Sequence, residues 1–516
     1  MRSFFQYLSS RKIILIFCFF YLAVRMIFLD QTFLLPDERD LALTGYSVAK
    51  TGHDLFGNYY PLKFERISPN APAVTMYYDV FWWKIGMIKN VTNARLAFVL
   101  PASLLPILVF ELVLFLTKKK KLSYLVCLIF CLSPWIYNIS RLGLEINLAL
   151  PLILAAMLLQ LNRKSAWSYF FYFLTFFSYQ GLRPLVLTIP IYLEFYFYLS
   201  KKITFKKFLL SSSGYIFSFV VFALIGLKIE GNLRERTGEL IFFKPYGRRH
   251  LFNMVLSRIL KGWDLSFLFK SGDYVPQYNN GVAGQFYGVL LIFLFLGIFA
   301  LKNIPLGEYF LIGFALLGLL PSLINVYSLT FSIRSALAAL GLSALMAEGV
   351  SFVFNNMKKL FPYLRLLMTV ILSTVLFLQM TIFFRNYYVV KPALQADVFG
   401  EKDKVLATYV LNNKSNYSVE SPLPYSTFMS YVFMSDLTKK DLQKISAMLN
   451  RNWSIFYFNN LTFKRCEANQ PVNPEDLHKV IVDEYCLTFL TKQRIQKKLN
   501  VKTLRYFNKP AYFVFD

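Results

Sequence analysis

KKKKLSYLVCLIFCLSPWIYNISRLGLE, Lys118 to Glu145, decides the fold. Four lysines are followed by an almost uncharged run, Leu122 to Ile139, and then by a short turn carrying Arg141 and Glu145. A run of this length and apolarity suits a helix crossing the hydrocarbon of a bilayer. Lysines at one end mark the cytoplasmic side by the positive-inside rule, which puts the Ser140–Glu145 turn outside.

The same alternation extends in both directions. The predicted spans are 12–31, 93–117, 122–139, 144–162, 166–179, 184–200, 208–227, 282–301, 305–325, 331–354 and 362–384, about eleven transmembrane helices. The short basic connections are Lys118 to Lys121, Arg163-Lys164, Lys201 to Lys207, Lys302 and Lys358-Lys359. They fall at alternate connections, on the side of the N-terminus with Arg2, Arg11 and Lys12. The loops 32–92 and 228–281 and everything after about residue 385 are then expected outside. The first run is read as a retained span, because no small-x-small cleavage pattern follows it.

Composition agrees. Of 516 residues, 56% are hydrophobic and 16% charged, whereas soluble domains run nearer a quarter charged. The net charge of +27 lies largely in lysine clusters between apolar runs, which points to topology and anionic headgroups and away from nucleic acid. Some of it lies in the second long loop, at Arg234, Arg236, Lys244, Arg248 and Arg249, facing either lipid or an anionic substrate. The three histidines are scattered, and the five cysteines show no metal spacing. Cys466 and Cys486 form a disulfide only if their domain faces an oxidising compartment.

Beyond about residue 390 the pattern changes. WSIFYF (Trp453 to Phe458) and AYFVFD (Ala511 to Asp516) are strand-like, and TKKDLQKISAML (Thr438 to Leu449) has helical apolar spacing. The expected organisation is a transmembrane domain over 1–390 and an extracytoplasmic α/β domain over 391–516.

Charged residues at the predicted outer ends are the candidates for chemistry. PDERD, Pro36 to Asp40, suits a helix N-terminus, with carboxylates at the positive end of the dipole. A carboxylate there is also placed to act as a base toward an acceptor hydroxyl. Arg141 and Glu145 have the i, i+4 spacing of a helical ion pair. Arg183 in SYQGLRP and Arg334 in FSIRS add two more cations at outer ends, a set that suits a lipid-linked phosphate. Glu111 and Glu194 are expected near the inner side, paired with nearby lysines or packing polar faces between helices, and Arg25 to snorkel outward.

These stretches taken in order resemble the GT-C glycosyltransferases, in particular bacterial relatives of the protein O-mannosyltransferases and the aminoarabinose transferases. DERDLALTGYSVAKTGHDLFGNYYPLKF (Asp37 to Phe64) is similar to the family's first loop, SPWIYNISRLGLEINLAL (Ser133 to Leu150) to its second outer turn, and SYQGLRP (Ser178 to Pro184) to its third. FLFKSGDYVPQYNNGVAGQFYG (Phe267 to Gly288), with its Gly-Asp, resembles a later loop, and SLTFSIRSA (Ser328 to Ala336) the Arg-bearing end of a late span. The resemblance implies a GT-C-like membrane enzyme that transfers a sugar, with inversion, from a polyprenyl-phosphate donor to a glycan, lipid or protein acceptor on the outer face of the plasma membrane. It implies Asp37 as the base with Glu38 beside it, and Arg141, Glu145, Arg183 and Arg334 at the donor phosphate. The family's first-loop Lys-Pro is missing; SPNAPAV (Ser68 to Val74) stands there, and Arg66 is the candidate substitute. No required metal is expected, since no dense carboxylate cluster is evident. The rival readings are a lipid or glycan flippase, which predicts ionisable residues near mid-membrane in two similar halves, and a non-catalytic scaffold.

Overall fold

A backbone in hydrocarbon has to satisfy its own hydrogen bonds, so apolar runs of this length become helices. The computed structural model has a helix at every one of the predicted spans. It describes residues 11–515 apart from 65–71, 231–247, 280, 282, 325–331, 358–361, 414, 450–454, 468–478, 489–490 and 492–500. Arg66, Arg234, Arg236, Lys244, Lys358 and Lys359 thus lie outside the described residues. Among the described residues, six helical stretches are long and apolar enough to cross a membrane: Val91–Thr117, Gln180–Leu199, Phe205–Ile229, Leu306–Leu323, Ala338–Met357 and Pro362–Leu394. Shorter apolar helices span Ile146–Leu161 and Leu290–Ala300. The protein is a multi-pass helical membrane protein with a small sheet-containing domain near its C-terminus.

The chain forms two compact units. One comprises residues 1–29, 72–75 and 95–391, the other 30–71, 76–94 and 392–516. Most of the first long loop therefore groups with the C-terminal residues, where a division at residue 390 would leave it with the helices.

Within the helical unit, charges inside spans find partners. Glu111 pairs with Arg11. Glu194 accepts from Arg163 at 3.0 Å and from Gln160 at 3.1 Å. Arg25 departs from expectation: it does not snorkel but is 1% exposed. Its Nε donates to Ser140 Oγ at 2.8 Å, and Nη2 donates to the Cys131 carbonyl at 2.7 Å. Its guanidinium stacks 3.2 Å from the centre of the Tyr21 ring. The bonds outweigh the pull of water because the Ser133–Glu145 turn brings acceptors within reach at the level of Arg25.

In the other unit, helix Pro36–Thr51 starts at the predicted proline and stops at Gly52. Gly52 adopts φ +80°, which glycine tolerates without a Cβ clash, and its N–H bonds the Val48 carbonyl at 2.9 Å. The C-terminal residues form a six-stranded mixed sheet in the order β2-β3-β1-β4-β6-β5. The strands are β1 Tyr417–Ser421, β2 Ile455–Phe458, β3 Leu461–Arg465, β4 Val480–Asp483, β5 Val501–Tyr506 and β6 Lys509–Phe515. The central β1 runs parallel to β3 and β4, whereas β2–β3 and β5–β6 are hairpins. Helix Pro424–Met434 covers one face, its Phe428 stacked on Phe456 of β2 at 5.0 Å. WSIFYF and AYFVFD supply β2 and β6, and TKKDLQKISAML a helix, as the patterns predict.

Cys466 and Cys486 are bridged, with Cα atoms 5.9 Å apart, in an apolar cluster with Val482, Leu487, Phe513 and Phe515. Cys18, Cys127 and Cys131 are free. A loop closed over 20 residues is worth about 3 kcal/mol through the unfolded chain. Denatured protein is expected to show three reactive thiols before reduction and five after it. The Cys466→Ser, Cys486→Ser double variant is expected to melt several degrees lower; equal thiol counts would refute the bridge.

Candidate functional site

The predicted site residues fall in both units. Asp37 and Glu38 belong to the unit with the C-terminal domain, and Arg141, Glu145, Arg183 and Arg334 to the helical unit. Each set is described by itself.

Pro36 at the first turn sets φ for helix entry, and Asp37 and Glu38 follow in that turn, where the free N–H groups and the dipole favour carboxylates. Glu38 is buried and turns back to accept from the Leu35 N–H at 2.8 Å, completing a capping arrangement. That bond occupies Glu38 in holding the chain at the helix entrance. Asp37, one residue earlier, is only half-buried. Arg39 is 2% exposed and donates to the Ser426 carbonyl at 2.9 Å and to Ser430 Oγ at 2.7 Å. It also touches Asp40 at 3.3 Å, and Tyr425 donates to the same carboxylate at 3.3 Å. Arg39 therefore fastens the acidic helix to the Pro424–Met434 helix, a role that its separation of nearly 400 residues hides from sequence reading.

A second fastening comes from Lys89. It donates to the carbonyls of Phe433 and Ser435, the latter at 2.8 Å, at the C-terminal end of the same helix. Burial lowers its pKa from the ordinary 10.5 to about 8, against the pull of nearby Asp436. Asp79, fully buried, accepts from Trp83 Nε1 at 3.0 Å. A Cβ on Gly45 would lie 2.1 Å from Asp79 Oδ2, so glycine is what lets this carboxylate pack on the Pro36–Thr51 helix.

In the helical unit, the Ser133–Glu145 turn is the organising feature. The turn falls where the sequence places it: helix Pro134–Ile139 ends before Arg141 and the next begins at Ile146, so the i, i+4 spacing of Arg141 and Glu145 is not that of one helix. Arg141, 6% exposed, donates instead to the carbonyls of Arg25 at 2.9 Å and Phe28 at 3.0 Å, and to the Tyr388 hydroxyl at 3.0 Å. It closes the end of helix Lys12–Met26. The hydrogen-bond partners of Arg25 and Arg141 are carbonyls and hydroxyls, and among the described residues no carboxylate pairs with either.

Three of the motifs meet here. Trp135 Nε1 donates to the Ser332 carbonyl at 2.9 Å, beside Arg334. Asp273, the acid of the Gly-Asp pair, is 1% exposed and accepts from the amides of Val275, at 2.9 Å, and Ser332. Burial pushes its carboxyl above the usual range, against those amide bonds. Asn138 donates to the Tyr278 carbonyl at 2.8 Å and accepts from Lys391 and from the Tyr387 hydroxyl. The second turn, the Gly-Asp loop and the turn carrying Arg334 thus form one hydrogen-bonded assembly. Arg183 Nε donates to the Phe176 carbonyl at 3.2 Å, and its guanidinium sits 4.6 Å from the centre of the Phe176 ring. Lys391, 3% exposed in the last turn of helix Pro362–Leu394, is a cation that sequence reading missed. Its burial inside the membrane-associated unit is the signal that marks it.

No family model and no curated protein matches the sequence. Among solved structures the chain is similar to ArnT from Cupriavidus metallidurans bound to undecaprenyl phosphate, at 9% identity over 98% of each chain and a TM-score of 0.47. It is similar to the same protein in the apo state, at 12% identity, 98% of each chain and a TM-score of 0.49. It is also similar to the archaeal oligosaccharyltransferase AglB from Archaeoglobus fulgidus in complex with an inhibitory peptide and a dolichol-phosphate. That match has 11% identity and a TM-score of 0.45, and it covers 81% of this chain and 63% of that one.

The Lys89 arrangement has a measurable signature. The unfolded chain takes up the Lys89 proton below about 10.5 and the folded chain only below about 8, so stability rises with pH between those values. In Lys89→Met that contribution, about 2–3 kcal/mol across the window, is expected to vanish. Melting temperatures of both proteins at pH 7 and pH 10 measure it.

Proposed function

We propose that this chain is an inverting glycosyltransferase that moves a sugar from a polyprenyl-phosphate carrier to an acceptor at the outer face of the plasma membrane. The observation that carries the reading is the pair of buried guanidinium groups, Arg25 and Arg141, with neutral partners. A buried cation without a counter-ion is costly, and an arriving phosphate removes that cost. Arg141 is also one of the positions at which the sequence resembles the GT-C enzymes, in the stated order with Asp37, Arg183, Gly272-Asp273 and Arg334.

In this reading the acceptor hydroxyl attacks the anomeric carbon. Its proton passes to the Asp37 carboxylate, and the bond from the anomeric carbon to the phosphate oxygen breaks. The electron pair leaves on the polyprenyl phosphate, and the configuration inverts. Arginine charge at the leaving phosphate lowers the barrier because negative charge grows there in the transition state. Arg141 takes this part, with Arg183, Arg334 and Arg66 as further donor contacts. The role of Glu38 is to hold the helix entrance that orients Asp37. Guanidinium charge replaces a metal, so chelators are expected to leave the rate unchanged. The disulfide in the C-terminal domain supports an extracytoplasmic location for that domain and a cytoplasmic N-terminus.

The test uses purified full-length protein with a panel of polyprenyl-phosphate sugars, following sugar transfer or slow hydrolytic release. Asp37→Asn is expected to lower turnover by about 10²-fold or more with donor binding retained. Arg141→Ala is expected to weaken donor binding as well. Wild type that neither turns over nor is thermally stabilised by any donor would sink the proposal and favour the flippase or scaffold.

A further inference from the structure

Helix Arg248–Gly262 belongs to the helical unit but is not built to cross a membrane. Its 15 residues, at about 1.5 Å each, fall short of the roughly 30 Å of hydrocarbon, and it carries Arg248, Arg249, Arg258 and Lys261. It is fastened to the membrane-crossing stretch Leu306–Leu323 at the end away from Lys302. Arg258, 3% exposed, donates to the Leu323 carbonyl at 2.9 Å and so serves one of the open carbonyls of that helix end. Gly262 is buried against Leu319, where a Cβ would stand 3.2 Å from both methyl groups of that side chain.

The rest of the helix surface divides into two rows. Phe252, Leu256 and Leu260 lie four residues apart, hence on one face, and are 66%, 43% and 65% exposed. Arg249, Asn253, Ser257 and Lys261 form a second exposed row, also four apart and turned by about 100° from the first. An exposed row of large apolar side chains marks an interaction surface. Beside a polar row that begins and ends on a cation, it has the pattern of a helix lying in the plane of a membrane interface. The third side, packed on the end of a span, holds the helix at the depth where hydrocarbon gives way to headgroups. At that depth acyl chains meet the apolar row, and lipid phosphates meet Arg249 and Lys261 through charge-assisted bonds.

We propose that helix Arg248–Gly262 is an interfacial anchor lying along the bilayer surface. Phe252, Leu256 and Leu260 enter the acyl-chain boundary, and Arg249 and Lys261 sit among phospholipid phosphates. The chain runs on from this helix through Phe267–Ser271 to Asp273, so lipid seating steadies one approach to the Gly-Asp loop. The anchor is separate from the sugar-transfer reading and stands or falls without it.

Electron paramagnetic resonance of the full-length protein in vesicles of phosphatidylcholine and phosphatidylglycerol tests it. Single nitroxide labels are placed at Phe252→Cys, Leu256→Cys, Asn253→Cys and Ser257→Cys, with the three free cysteines replaced by alanine and the Cys466–Cys486 bridge kept. At Phe252 and Leu256 the ratio of collisions with oxygen to collisions with a water-soluble nickel chelate is expected to be severalfold higher than at Asn253 and Ser257. In the Arg249→Gln, Lys261→Gln double variant, nickel collisions at the Leu256 label rise severalfold as the helix lifts toward water. Equal ratios in the two rows overturn the proposal. So does protection of Leu256 from both reagents with spin–spin broadening, which marks a second copy covering the apolar row. Unchanged nickel collisions in the double variant overturn the phosphate contact.

Discussion

The closure of helix Lys12–Met26 by Arg141 is the constraint around which the helical unit is built. The last carbonyls of a helix have no partner within it, and near a bilayer they cannot rely on water. Arg141 supplies donors to the carbonyls of Arg25 and Phe28, and Arg25 reciprocates by bonding Ser140 in the turn that carries Arg141. Each arginine therefore fixes the segment that holds the other. With the turn fixed, Trp135 and Asn138 reach the Ser332 and Tyr278 carbonyls, and Asp273 locks the Gly-Asp loop to the amide of Ser332. Four segments far apart in sequence become one assembly through hydrogen bonds, which are directional and leave little freedom of register.

The other unit solves a different problem. Helix Pro36–Thr51 has to present an acidic first turn without letting it fray. Glu38 closes its entrance, Gly52 its exit, and Arg39 and Lys89 tie this part of the chain to the two ends of helix Pro424–Met434. The C-terminal sheet gives that partner helix a rigid base through Phe428 on Phe456. A carboxylate of the kind proposed for Asp37, on a membrane protein's loop, needs such support, because loops otherwise open at little cost.

What the sequence made legible was whatever depends on local pattern. Apolar run length, lysine placement and strand alternation located the helices and much of the sheet. The motif order marked Arg141, Asp273 and Arg334 as belonging to related places. Arg25 was misread because snorkelling assumes that water offers the best acceptors, and the pattern around residue 25 does not reveal Ser140 and the Cys131 carbonyl. The Ser140–Glu145 turn was legible from the lysines and run length before it, but the carbonyls that Arg141 closes were not. Lys391, Asn138 and Arg39 take their meaning from partners some 250 to 390 residues away, which no local period encodes. Glu38 sits three residues after Leu35, and without a serine or threonine at the cap its role was only half visible.

Charge balance bears on whether the paired arginines are merely structural. Arg141 bonds carbonyls at the end of helix Lys12–Met26, and Arg25 bonds a carbonyl in the last turn of helix Lys120–Leu132. Each helix C-terminus carries roughly half a negative charge. Two guanidinium groups against two such ends leave an excess of about one positive charge in a buried setting. Tyrosine rings and hydroxyls soften that excess without cancelling it, since each cation–π contact is worth only about 1–2 kcal/mol. A purely structural clamp could close the same carbonyls with a neutral donor such as asparagine, at no electrostatic cost. Retaining two full charges there is economical if the resting state is incomplete and a phosphate-bearing ligand completes it.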